Sequence, residues 1–135
     1  MKRDYVPVYD FNDPNHALPK DSCAAATVAN ALLRLARVAP DRAPQYRRVA
    51  RATISELAEN YLCDGGILLH GSFGNVAAGG AIPVRFPQED IIPFGNYYFV
   101  EALYHELRPD DWSLFNLRDP KFSRPSLAGV RGRVR

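Results

Sequence analysis

Small and apolar residues fill almost every position from 22 to 36: Ser22-Cys23-Ala24-Ala25-Ala26-Thr27-Val28-Ala29-Asn30-Ala31-Leu32-Leu33-Arg34-Leu35-Ala36. The small side chains surround the first half of this run, which predicts a helix over 22–38 packed closely on several sides rather than along one stripe. Asp21 and Ser22 stand in front of it as N-cap residues, whose oxygens accept the free amides of a first helical turn. Past Pro40 and Pro44, which punctuate a turn, the pattern changes. Tyr46, Val49, Ala50, Thr53, Ile54, Leu57, Ala58 and Tyr61 recur at three- and four-residue steps, with Arg47, Arg48, Arg51, Ser55, Glu56 and Glu59 on the other face. That is an amphipathic helix with a wet outer side. A buried helix, a short turn and an amphipathic helix form one inner/outer unit of a helical toroid or solenoid; a plain bundle shows two amphipathic helices instead.

Six of the nine glycines fall within residues 65–80 (GGILLHGSFGNVAAGG), which predicts a loop with a short extended Ile67-Leu68-Leu69 rather than a helix. A proline-broken stretch then enters a helix from about Asn96 to Leu107 that is apolar on nearly every side, ended by Pro109-Asp110-Asp111. Residues 112–117 are expected to fold back as an apolar clasp. Residues 4–20, with three prolines, read as an extended or looped lead-in. The fold class is therefore all-α: an inner/outer helix pair plus a final inner helix, joined by a glycine-rich loop, with the fold spanning residues 1–117.

Composition adds one asymmetry. The 135 residues, 47% apolar and 24% charged, suit one globular domain. The formal charge of +2 is concentrated at the end: residues 118–135 hold six bases against one acid, a local +5 that leaves the remainder at −3. Such a tail is able to touch nucleic acid or anionic lipid. A solvated, disordered end containing Pro, Ser and Gly is the simpler reading, and neither nucleic acid nor membrane is expected as a partner. No apolar run is long enough to cross a membrane, and the polar residues after Met1-Lys2-Arg3 do not continue as a signal peptide, so a cytoplasmic location is expected. Cys23 and Cys63 are too few and too far apart for a metal knuckle. An antiparallel hairpin would bring them near each other, and a buried thiol pair in a reducing compartment is expected.

The acids cluster in loops at Asp10, Asp13, Asp21, Glu89 and Asp90. Each is able to serve as one of the two carboxyls that sugar-ring hydrolysis needs. Capping for Asp21, turn formation for Asp10 and Asp13, and a favourable place before a helix N-terminus for Glu89 and Asp90 are the structural alternatives. No Ser-His-Asp, Cys-His or metal-ligand spacing stands out, and the glycine-rich loop lacks the Lys-Ser/Thr of a phosphate-binding loop. His70, between Leu69 and Gly71, is placed to reach a ligand. His105, one turn after Glu101, reads as a surface or packing residue, and His16 is uninformative. One of Tyr97, Tyr98 and Phe99 at the helix mouth is able to offer an apolar face to a sugar ring.

Four segments in order resemble the unsaturated glucuronyl hydrolases, glycoside hydrolase family 88. Tyr9-Asp10-Phe11 with Asp13-Pro14 looks like the family's aromatic-Asp-Phe…Asp-Pro lead-in. Pro19-Lys20-Asp21-Ser22-Cys23-Ala24-Ala25-Ala26 is similar to its Pro-Arg-Asp-Ser-Ser-Ala-Ala-Ala helix start. Gly66-Ile67-Leu68-Leu69-His70-Gly71 looks like its Gly-Leu-Leu…His segment. Phe94-Gly95-Asn96-Tyr97-Tyr98 leading to Val100-Glu101-Ala102-Leu103 resembles its Trp-Gly-Asp-Tyr-(Tyr/Phe) and Leu-Glu-Ala-Leu, with Phe94 and Asn96 in place of Trp and Asp. Together they span about residues 7–107. The related family 105 shares the toroid and mechanism.

The resemblance implies part of an (α/α)6 toroid of six inner and six outer helices. It implies an activity that releases unsaturated uronic acid from lyase-generated oligosaccharides, without metal or organic cofactor. In that chemistry a carboxyl group protonates the vinyl-ether double bond, water adds, and the hemiketal opens. The matching segments belong to the C-terminal third of such enzymes, and the aspartates credited with proton transfer precede them. No catalytic role therefore passes to any residue of this chain. His70, Gln88, Glu89 and Asp90 are expected to line the substrate side of the cleft. The chain is expected to be a fragment, inactive alone, that self-associates or pairs with an N-terminal complementing chain. The alternative is a non-catalytic helical carbohydrate-binding or assembly module.

Overall fold

In a computed structural model the described residues are 4–8, 11, 20–72 and 91–111. The expectations for Asp10, Asp13, His16, the loop from 73 onward with Gln88, Glu89 and Asp90, the clasp over 112–117 and the basic tail lie outside them. Helix α1 spans Ser22–Val38, as its unbroken small and apolar run predicts. A single 3-10 turn, Pro40–Arg42, reverses the chain into α2, Ala43–Asn60, with proline in its first turn. Helix α3 spans Pro93–Leu107 and so begins three residues before the expected Asn96. Pro93 sits at the first helical position, where a missing N–H is no loss because that amide has no helical acceptor. No extended strand occurs among the described residues; Val8 with Lys20 and Leu62 with Leu68 form isolated antiparallel bridges.

The described residues are mostly helical, and α1 is their centre. Helix α1 packs against both α2 and α3, which scarcely touch each other. After α2 the chain is back at the start of α1, where the Ser22 amide donates to the His70 carbonyl at 3.0 Å, so α1 and α2 are antiparallel. Helices α1 and α3 run parallel: Gly95 abuts Cys23 near both N-termini, and further along Glu101 meets Asn30 and Arg34. A Cβ built on Gly95 would lie 3.2 Å from the Cys23 Cα, so the missing side chain sets how closely the helices approach. Ala25, Ala26, Ala29 and Leu33 of α1 form the core with Ala50, Ile54 and Leu57 of α2 and Phe99 and Ala102 of α3. The alanines explain the tight spacing, since short side chains let backbones come together without voids.

The two inner helices are covered on several sides but not on all. Val28, Leu35 and Val38 of α1 and Phe94, Tyr97 and Val100 of α3 are exposed. Two neighbours are too few to enclose a helix that is apolar all round, so the outward face stays open among the described residues. Helix α2 keeps its wet face, with Arg47, Arg48, Arg51, Ser55 and Glu59 exposed; Ala58, expected on its apolar side, is exposed too.

A polar group lies inside this apolar frame. Glu101 is only 1% exposed, accepts from Asn30 Nδ2 at 2.6 Å, pairs with Arg34 and faces His105 Nε2 at 3.5 Å. His105 is itself buried, and burial holds its imidazole below the usual value, an effect the neighbouring Glu101 opposes and Arg34 and Arg37 reinforce. A base whose folded-state value is depressed contributes stability that is complete above its unfolded value of 6.5 and is lost as pH falls below it. Urea unfolding at a series of pH values should therefore show stability declining below about pH 6.5, by at most about 1.4 kcal/mol per unit. A His105→Gln variant should flatten that slope; an unchanged slope would assign it elsewhere.

Candidate functional site

The start of α1, the loop after α2 and the start of α3 come together at one end of the molecule. Asp21 caps α1: its Oδ1 accepts from the Cys23 amide at 3.0 Å and the Ala24 amide at 3.2 Å, and also from the Ser72 amide at 3.2 Å. Of the two readings of Asp21, the geometry supports the cap, extended here into an anchor for the loop. Ser22, fully buried, donates from Oγ to the Leu69 carbonyl at 2.6 Å. On the opposite side Asn96 accepts from the Leu68 amide at 2.8 Å through Oδ1 and donates from Nδ2 to the Ile92 carbonyl at 3.3 Å. Three side chains thus hold the backbone from Leu68 to Ser72. Asn96 holds the loop through its acceptor and ties itself to the Ile92 carbonyl through its donor; an ionised aspartate would offer only acceptors and so only the first bond.

His70 is the product of that clamp. It is the one described non-glycine residue with positive φ, at 59°. This left-handed conformation is uncommon for residues with a Cβ, though histidine tolerates it better than most. Its ring meets Tyr61 edge-on, with centroids 5.8 Å apart, and it is half-buried. Burial, with Asp4 and Glu56 adding to it, raises the Tyr61 phenol above its ordinary value, so the phenol is a neutral partner at physiological pH. Substitution separates conformation from contact. His70→Gly should leave stability within about 1 kcal/mol of the parent, whereas His70→Val should cost about 2 kcal/mol because a β-branched residue resists this φ. Equal losses in thermal unfolding would contradict the left-handed assignment.

Tyr97 stands half-exposed beside Tyr98, ring centroids 5.2 Å apart, in the second turn of α3. Cys23 lies next to the cap; burial first and the Asp21 charge second push its thiol up, so it is protonated and a poor nucleophile at neutral pH. Cys23 and Cys63 are both free and half-buried rather than fully buried. Among the described residues no group of three or more His, Cys, Asp or Glu is placed to hold a metal ion. No described helix is long and apolar enough to cross a membrane. The arrangement holds a polar loop and one imidazole rigidly, with an aromatic ring nearby. Among the described residues it does not pair two carboxyls across a space where a glycosidic bond would sit.

Of the expected substrate-side residues, His70 is brought together with Asp21, Ser22 and Asn96, while Gln88, Glu89 and Asp90 lie outside the described residues. The roles of Ser22 and Asn96 as loop anchors were not anticipated. Nor was the Asn30–Glu101 pair, whose only sequence signal is a polar residue amid the apolar runs of each helix.

An unsaturated glucuronyl hydrolase from Formosa agariphila is similar to this chain, 34% identical over 109 residues. The match takes in 76% of this chain and 25% of that protein, so the chain spans about a quarter of the length of the relative. No protein-family model matches the chain, and no solved structure matches it.

Proposed function

We propose that this chain is the C-terminal portion of an unsaturated glucuronyl hydrolase-like glycosidase, forming one rim of a cleft for unsaturated uronic-acid oligosaccharides. The observation that carries this reading is the 34% identity to the Formosa agariphila hydrolase over 109 residues. Two features of the fold agree with it. Parallel α1 and α3 with antiparallel α2 are the arrangement of two inner helices and one outer helix of an (α/α)6 toroid. Exposed Val28, Leu35, Tyr97 and Val100 form apolar surface of the kind that further toroid helices cover.

In this reading His70, with Gln88, Glu89 and Asp90, lines the substrate side. The matched segments, on this reading, follow those that carry the acid–base aspartates, so the proton transfer to the vinyl ether belongs to a preceding segment and the chain is inactive alone.

Incubating the 135-residue chain with an unsaturated uronyl disaccharide should leave the ultraviolet absorbance of the conjugated double bond unchanged. Enzyme-like decay of that signal would overturn the inactivity. Exchanging this chain for the matching segment of the Formosa agariphila enzyme should preserve measurable turnover, and His70→Ala in that chimera should weaken substrate binding. A chimera that folds but never binds the sugar would sink the assignment. The exposed helix faces also predict concentration-dependent self-association of the isolated chain in sedimentation, reduced by Val100→Lys; a stable monomer at all concentrations would contradict it.

A further inference from the structure

At the other end of the helix pair, a cleft of about 80 Å³ opens between the last turns of α1 and α3 and the first half of α2. Arg37 enters it from α1, Arg47 and Arg51 from α2, and His105 and Glu106 from α3. Three arginines and one glutamate therefore line the cleft. Arg51 Nε already bonds Glu106 Oε1 at 2.6 Å, and Arg47 makes no ion pair among the described residues. Arg47 and Arg51 are four residues apart on one helix face, a spacing at which like charges disfavour the helix unless a counter-charge lies between them.

A solvated outer face is the ordinary fate of such arginines on α2. Here the fold adds Arg37 from a second helix and a wall of buried Leu33 and His105, which keeps water from that side and so strengthens the field inside. One water needs about 10–15 Å³, so the cleft has room for a group of several heavy atoms. Planar guanidinium forks match the oxygens of a tetrahedral anion in pairs, which an ammonium group does not.

We propose that this cleft binds a small tetrahedral oxyanion, phosphate or sulfate, either free or as an ester. From Ser22 to Arg37 α1 rises about 22 Å, so the cleft is separate from the loop end and does not rest on the glycosidase reading.

The test uses the full chain carrying His16→Gln and His70→Gln, in which His105 is the single imidazole reporting by proton NMR. Phosphate and sulfate should each shift its resonance saturably, because a bound anion favours the charged imidazole. Chloride at matched ionic strength should not. Arg37→Gln and Arg47→Gln should each weaken binding about tenfold, the loss of one charge-assisted hydrogen bond. Galactose 6-sulfate binding more tightly than sulfate would identify an ester as the source, and equal affinity would identify the free ion. An identical response to chloride would overturn the proposal. So would an unaltered phosphate response in the double arginine variant, with circular dichroism showing its helices intact.

Discussion

Replacing Arg34 with methionine should lower the unfolding free energy by about 3 kcal/mol, while Glu101→Gln should cost only about 1 kcal/mol. The two residues form one ion pair, yet their surroundings differ. Glu101 is 1% exposed and Arg34 is 49% exposed. Removing the cation strands a carboxylate beside Asn30 and His105 with no route to water, and an uncompensated buried charge is among the costliest single defects. Removing the anion instead releases a half-open guanidinium into solvent, and the amide carbonyl that the change leaves in place of the carboxylate still accepts from Asn30 Nδ2. Urea midpoints with unchanged slopes measure both values. A larger loss for Glu101→Gln would mean that the pair's attraction, rather than the desolvation of Glu101, dominates.

Phe99→Ala should cost about 4 kcal/mol, and Tyr97→Ala less than about 0.5 kcal/mol, although the two aromatics lie on the same helix two residues apart. Phe99 is 3% exposed in the cluster with Ala25, Ala26, Ala29 and Leu57, so truncation loses both its transfer free energy and the packing of the cavity left behind. Tyr97 is 53% exposed and leaves little behind. Because small domains have only about 5–15 kcal/mol in total, the Phe99 change should leave the chain near its unfolding threshold. The pair of substitutions becomes more informative in a chimera with the longer hydrolase. There, a Tyr97→Ala cost rising above about 1 kcal/mol would show that further helices cover this face.

The boundaries of α1 and α2 were legible because periodicity, caps and prolines are local signals. The start of α3 was not: Pro93 and Gly95 both punctuate loops in sequence, and only the contact with Cys23 explains a glycine in a first helical turn. The pairing of Asn30 with Glu101 spans 71 residues and depends on α1 and α3 running parallel, which no nearby pattern encodes. At the candidate site, the glycine beside His70 marked a loop with close backbone approach. The left-handed turn itself arises from bonds made by Ser22, Asp21 and Asn96, residues that read locally as caps or as a motif variant. Which faces of the inner helices stay open was not legible, because composition records what a helix tolerates, whereas exposure depends on which neighbours stand beside it.

Starting α1 and α3 side by side also shapes the electric field. Each helix carries a partial positive charge at its N-terminus, and parallel neighbours add these charges at one edge rather than cancelling them. Asp21 offsets that charge at α1, but α3 begins at Ile92 and Pro93 with no side-chain cap and no acid in its first turn. The first-turn amides of α3 thus keep a partial positive charge that no side chain of the helix itself caps. The long-range pull of that charge should fade as salt approaches the point where the screening length falls to about 8 Å.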